Sequence, residues 1–70
     1  MSADRLVGAV GIVTTTIPSG GQGEVRLPAR GGSETYGAYN ANRGIAIPSG
    51  TQVTVTEVYP PRTVVVAADG

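Results

Sequence analysis

Seventy residues carry five arginines and five acids, with no lysine, histidine or cysteine, for a formal net charge of zero. That inventory excludes a disulfide, a thiolate metal site and a histidine general base or ligand. It also argues against general affinity for a phosphate backbone.

A chain of this length is one small domain that buries only about 60% of its unfolded surface. Phe and Trp are absent, so Val, Ile and Leu must supply the core. No apolar run approaches the roughly 18 residues of a membrane span. Residues 1–5 lack the apolar core of a signal peptide; they are expected to be a disordered leader or a cloning remnant. Residues 6–68 are expected to form the single domain and 69–70 a tail.

Leu6, Val7, Val10, Ile12, Val13 and Ile17 predict a long first strand over 6–17. They occupy both alternation phases, and Gly8 and Gly11 interrupt them, which is expected of a bulge or bend. Such a strand suits a barrel in which one strand serves both sides of the closure. Pro18-Ser19-Gly20-Gly21-Gln22-Gly23 is a turn. Its glycines are no phosphate cradle, because a P-loop needs Gly-Lys-Ser/Thr leading into a helix. Val25 and Leu27 alternate with Glu24 and Arg26, predicting a strand over 24–28 that Pro28 ends or places on an edge. After a flexible tip at 30–33, an extended stretch over 34–40 puts Tyr36 and Ala38 on one face and Gly37 and Tyr39 on the other.

Val53 and Val55 alternate with Thr54 and Thr56 after a Pro-Ser-Gly turn, predicting a half-buried strand over 51–59. The corner Tyr59-Pro60-Pro61-Arg62 and the run Thr63-Val64-Val65-Val66 then complete a hairpin, with the last strand over 62–67. The expected core includes Val10, Ile12, Val25, Leu27, Val53, Val55, Val58 and Val65. No window shows helical spacing. Five short strands in so small a chain predict an all-β protein, a small barrel whose closure removes exposed edges. The oligonucleotide/oligosaccharide-binding (OB) type and the SH3-like type both fit, and the long bent first strand favours OB. The helix often found between the third and fourth OB strands has no room at 40–46.

The order Leu6-Val7-Gly8-Ala9-Val10-Gly11-Ile12-Val13, Gly23-Glu24-Val25-Arg26-Leu27, Tyr36-Gly37-Ala38, Ile47-Pro48-Ser49-Gly50-Thr51-Gln52-Val53-Thr54-Val55-Thr56-Glu57-Val58 and Thr63-Val64-Val65-Val66 resembles the C-terminal soluble domain of NfeD-like proteins. The resemblance runs from about residue 6 to residue 66. It implies a five-stranded OB-type barrel without the usual helix. It also implies a membrane-anchored parent with transmembrane segments that this chain lacks, and a domain on the cytoplasmic side. Longer family members carry a ClpP-like serine protease region, none of which is present here. A stomatin- or flotillin-type membrane scaffold is the implied partner. The stretch 28–42 is longer and more Gly-rich than the family pattern.

Neither catalysis, a cofactor nor a metal is expected. Ser19, Ser33 and Ser49 sit in turns with no His or Lys to activate them, and the carboxylates read as solvated faces. The expected role is protein interaction, through the loops 18–23 and 59–62, with Tyr59, Arg62 and Gln22 as the candidate contacts. Tyr and Arg are over-represented among interface hot spots. The alternative is a single-stranded nucleic-acid-binding OB module, in which Tyr59 and the arginines Arg26, Arg30, Arg43 and Arg62 would surround the strand. Tyr36 and Tyr39, on opposite faces, would not form one stacking platform for it.

Overall fold

Alternating β-branched residues and dense turn signals fold into five strands and no α-helix among the described residues, 6–29 and 31–69 of a computed structural model. Residues 1–5, expected to be a leader, and Arg30 and Gly70 lie outside that description. The strands are β1 (Val10–Thr15), β2 (Gln22–Ala29), β3 (Gly32–Asn40), β4 (Gln52–Tyr59) and β5 (Thr63–Ala68). They close in the order β1-β2-β3-β5-β4, with β4 returning to β1. Every neighbouring pair is antiparallel except β3–β5, which is parallel. This is the expected all-β barrel of OB type.

The core comprises Val13, Ile17, Val25, Leu27, Ala38, Ile47, Val53, Val55, Val64 and Val66, with Leu6, Ala9, Tyr36 and Val58 packed against it. Val25, Leu27, Val53 and Val55 are buried as alternation predicts, and Val58 is half-buried. Val55 and Val58 both face inward because β4 carries a bulge between Val55 and Glu57, where the ladder gains one residue and the phase flips.

Three expected core residues face outward. Val10 and Ile12 are 48% and 43% exposed, while Gly11 and Val13 point inward. A Cβ on Gly11 would meet the Arg26 carbonyl oxygen and Leu27 Cδ2, each at 2.5 Å. Gly11 is therefore a point of close approach rather than the expected bulge. The irregularity in β1 lies instead between Val13 and Thr15. The same inward phase continues to Ile17, which bridges Ile47. Strand β1 is also shorter than expected, since Leu6 to Ala9 form a turn in which Gly8 has φ 91°. Val65 is the third exception: parallel pairing sets Ala38 against Val64 and Asn40 against Val66, so inner residues meet inner residues and Val65 turns outward.

The β2–β3 hairpin is longer than expected, pairing from Gln22–Tyr39 to Ala29–Gly32. Gly32 and Ser33, expected in a flexible tip, are paired strand residues. Pro28 does not end the ladder. It pairs with Ser33 beyond Arg26, the last β2 residue that β1 reaches, so it lies on an edge where a missing N–H is tolerated.

Asp69 is tied to β4. Its backbone N–H donates to the Gln52 carbonyl at 3.0 Å, and its carboxylate accepts from Gln52 Nε2 at 3.0 Å and from Thr54 Oγ1 at 2.8 Å. These donors favour the ionised form and hold the carboxyl below its usual range. A carboxyl depressed in the folded state adds stability above its unfolded pKa, and that stability is lost as pH falls through the folded value. Thermal melts between neutral pH and pH about 2 should therefore show a smaller acid-induced fall in melting temperature for Asp69→Asn than for the parent. An identical fall would mean that Asp69 does not couple to folding.

Candidate functional site: an aromatic outer face over β3, β5 and β4

Cross-strand register builds two rows on the outside of the barrel. One runs Gln22–Tyr39–Val65–Glu57 and the other Glu24–Gly37–Thr63–Tyr59, each across β2, β3, β5 and β4. Tyr39 and Tyr59 therefore stand two strands apart with β5 between them. Neighbouring strands are about 4.8 Å apart, so β3 and β4 bound a trough about 10 Å wide, with Tyr39 and Tyr59 placed diagonally across it, one row apart. The trough is a groove of about 640 Å³, lined by Tyr39, Tyr59, Thr63, Val65, Glu57 and Arg43 among others.

The rings are held by their hydroxyls. Tyr39 Oη donates to Gln22 Oε1 at 3.2 Å. Gln22 can lie there because Gly37 lacks a side chain: a Cβ on Gly37 would collide with Gln22 Nε2. Tyr59 Oη donates to Glu57 Oε1, and that carboxylate raises the phenol pKa above its usual value.

The guanidinium of Arg62 goes elsewhere. It lies 3.6 Å from Glu34 Oε1 and 5.9 Å from the centroid of the Tyr36 ring. Both partners belong to the inward-pointing phase of β3, at the end of the barrel where Tyr36 caps the core. Burial, then the charge and hydrogen bond of Glu34, push the Tyr36 phenol up, opposed by Arg62. The Arg62–Glu34 pair is exposed and contributes little to stability. The Arg62 carbonyl, however, accepts from Gly37 N–H at 2.9 Å, which ties the 59–62 corner to the outer face. The structure thus brings Gln22 and Tyr59 onto one face and turns the Arg62 side chain to the barrel end.

Tyr39 is the groove residue that the sequence does not assign to a site with Tyr59, whereas Arg43 is one of the four arginines expected around Tyr59 and does line the groove. Alternation separates Tyr39 from Tyr36, its near neighbour in sequence, and gives it no other aromatic partner. Its neighbour across the groove is Tyr59, brought there by the parallel β3–β5 register, which no local pattern announces. Arg43 is placed by the loop after β3. Asn40, 7% exposed, donates from Nδ2 to the Ile45 carbonyl at 2.6 Å and accepts at Oδ1 from Asn42 N–H at 3.0 Å. A second groove, of about 310 Å³, runs between this loop and the end of β5 and is lined by Ile45, Ala46, Pro48 and Ala67 among others.

Among the described residues no group of His, Cys, Asp or Glu could hold a metal ion, and no helix is long and apolar enough to cross a membrane.

These features define a small closed OB-type barrel with a decorated outer sheet. The pattern of the NfeD C-terminal domain matches residues 10–67, and the chain belongs to that family. It is similar to the soluble domain of the NfeD protein YuaF from Bacillus subtilis, with 31% identity over 93% of this chain and 75% of that one and a TM-score of 0.80. The soluble domain of a membrane protein implicated in regulation of membrane protease activity, from Corynebacterium glutamicum, is 25% identical over 93% of this chain and 94% of that one, with a TM-score of 0.76. The C-terminal domain of stomatin operon partner protein 1510-C from Pyrococcus horikoshii shares the fold, with a TM-score of 0.79 and 21% identity over 100% of this chain and 97% of that one. No curated protein sequence matches the chain.

Proposed function

We propose that this chain is the non-catalytic interaction domain of a membrane-anchored NfeD protein and docks a stomatin- or flotillin-type scaffold on the cytoplasmic side. The observation that carries the reading is family membership over residues 10–67. The names of two relatives support it: one is a membrane protein implicated in regulating membrane protease activity, and another of the same fold is a stomatin operon partner.

The chemistry supports a binding role over catalysis. Ser19, Ser33 and Ser49 are exposed, and the sequence holds no His, Lys or Cys to activate them or act in their place. Glu24, Glu34, Glu57 and Asp69 each accept a hydrogen bond from a hydroxyl or amide of the barrel, a structural use of their charge. The barrel acts as a rigid support. The loops 18–23 and 59–62 and the outer sheet face carry the contacts, with Tyr59 and Gln22 as contact side chains, while the Arg62 side chain stays with Glu34 and Tyr36 at the barrel end. Anchoring both partners in one membrane raises their effective concentration, so a weak isolated affinity suffices.

The test titrates the isotope-labelled domain with the purified soluble region of the cognate scaffold protein. Amide shifts are expected at 18–23, 37–39 and 59–63. Shifts confined to the hairpin tip at 31–35, or none at near-millimolar partner, would exclude this docking mode.

A further inference from the structure

We propose that the groove between Tyr39 and Tyr59 receives an extended, proline-containing segment of the docking partner, with an acidic side chain at the Arg43 end. This deepens the docking reading by naming the chemistry of the segment that binds.

The groove has no place for an added strand. Its floor is β5, hydrogen-bonded on one side to β3 and on the other to β4. A partner cannot join the sheet as an added strand there, because the floor presents no free edge. Recognition must come from side chains. The floor offers Val65 and Thr63, and the flanking strands β3 and β4, about 10 Å apart and so the width of one extended chain, raise one tyrosine each, diagonally across the trough. An aromatic-lined trough of that kind suits polyproline II, whose backbone needs no internal partner and whose ordering cost is already low. The rings are pinned by Gln22 and Glu57, so little rotamer freedom is lost when the groove fills.

Charge sets the direction. The ion pair found among the described residues is Arg62–Glu34, at the barrel end. Arg43 lines the groove outside that pair, on a loop that Asn40 holds from both sides. Glu57 sits opposite Val65 and repels an acid from the middle of the trough. A ligand acid is therefore accommodated at the Arg43 end alone.

The probes are two capped twelve-residue peptides with a proline-rich body, one ending in two aspartates and the other in two lysines. Each is titrated into the labelled full chain. The aspartate peptide should shift Tyr39, Arg43, Tyr59, Thr63 and Val65 and bind about tenfold more tightly than the lysine peptide. Arg43→Glu, at an exposed loop position, should reverse that preference with an unchanged melting temperature. Any of three results would overturn the proposal: no shifts at millimolar peptide, a preference indifferent to Arg43→Glu, or salt-sensitive shifts at the same residues with oligothymidine that exceed those of the peptide. Two results separate this proposal from the docking reading. If a scaffold protein binds but ignores both Arg43→Glu and Tyr39→Ala, the groove assignment is wrong and docking stands. If the aspartate peptide binds as described but no scaffold protein does, the groove stands and the docking reading falls.

Discussion

Leu27→Ala should remove about half of the protein's stability. Leu27 is 0% exposed, and its Cδ2 occupies the space left by the missing side chain of Gly11 on the neighbouring strand. Truncating a buried leucine costs about 2–5 kcal/mol, the lost transfer energy plus the cavity left behind. A domain of this size is stabilised by roughly 4–10 kcal/mol in total, at 0.05–0.15 kcal/mol per residue. At the middle of both ranges the loss is about half of the whole. Adding a methyl at Gly11 should not refill the cavity, because the Arg26 carbonyl oxygen also stands 2.5 Å from that position. Urea melts should show a midpoint lowered by about half with an unchanged slope. A shift below the equivalent of about 1 kcal/mol would mean that the β1–β2 contact is looser than described.

Gly23→Ala should be the most damaging change among the glycines. Its Cβ would stand 2.5 Å from the Thr15 carbonyl oxygen, 2.6 Å from that of Thr16 and 2.7 Å from Ile17 Cα. All three are backbone atoms where the chain leaves β1 for the first loop, and none can rotate away. The cost should reach the upper end of the overpacking range, about 3 kcal/mol. Gly37→Ala is the matched control. Its only close contact is the end of the Gln22 side chain, which can swing aside and release Tyr39 without moving backbone. Melting temperatures should therefore fall steeply for Gly23→Ala and little for Gly37→Ala. Equal losses would contradict the contact geometry.

The contrast between those two glycines shows what the sequence makes legible. Strands with clean alternation, Val25–Leu27 in β2 and Val53–Val55 in β4, are read correctly because one polar residue stands between each pair of apolar ones. Runs that are apolar in both phases are not. Val10, Ile12 and Val13 in β1 and Val64, Val65 and Val66 in β5 leave the inward phase open locally. It is decided by partners distant in sequence: Leu27 over Gly11, Ile47 across Ile17, and the parallel ladder from Ala38 to Val64. The candidate site divides in the same way. Tyr59 and Gln22 are visible as turn-adjacent polar and aromatic residues. Arg43 is visible as one of the arginines expected around Tyr59, but the placing of Tyr39 diagonally across β5 from Tyr59 follows only from closing the barrel. Asp69 looks like tail in sequence, yet it hydrogen-bonds Gln52 and Thr54, because the β4–β5 ladder carries the chain end alongside them.

Scaffold docking, as proposed, uses the outer face around Tyr59. The most direct measurement compares the affinity of the parent, Tyr59→Ala and Ile12→Ala for the scaffold protein reconstituted in a bilayer, alongside their melting temperatures. Tyr59 is 52% exposed and Ile12 43%, so neither change should unfold the barrel. The account predicts that Tyr59→Ala weakens binding about tenfold or more, the loss of one interface hot spot, while Ile12→Ala leaves it unchanged. Unchanged affinity in Tyr59→Ala, or a loss confined to Ile12→Ala, would contradict it.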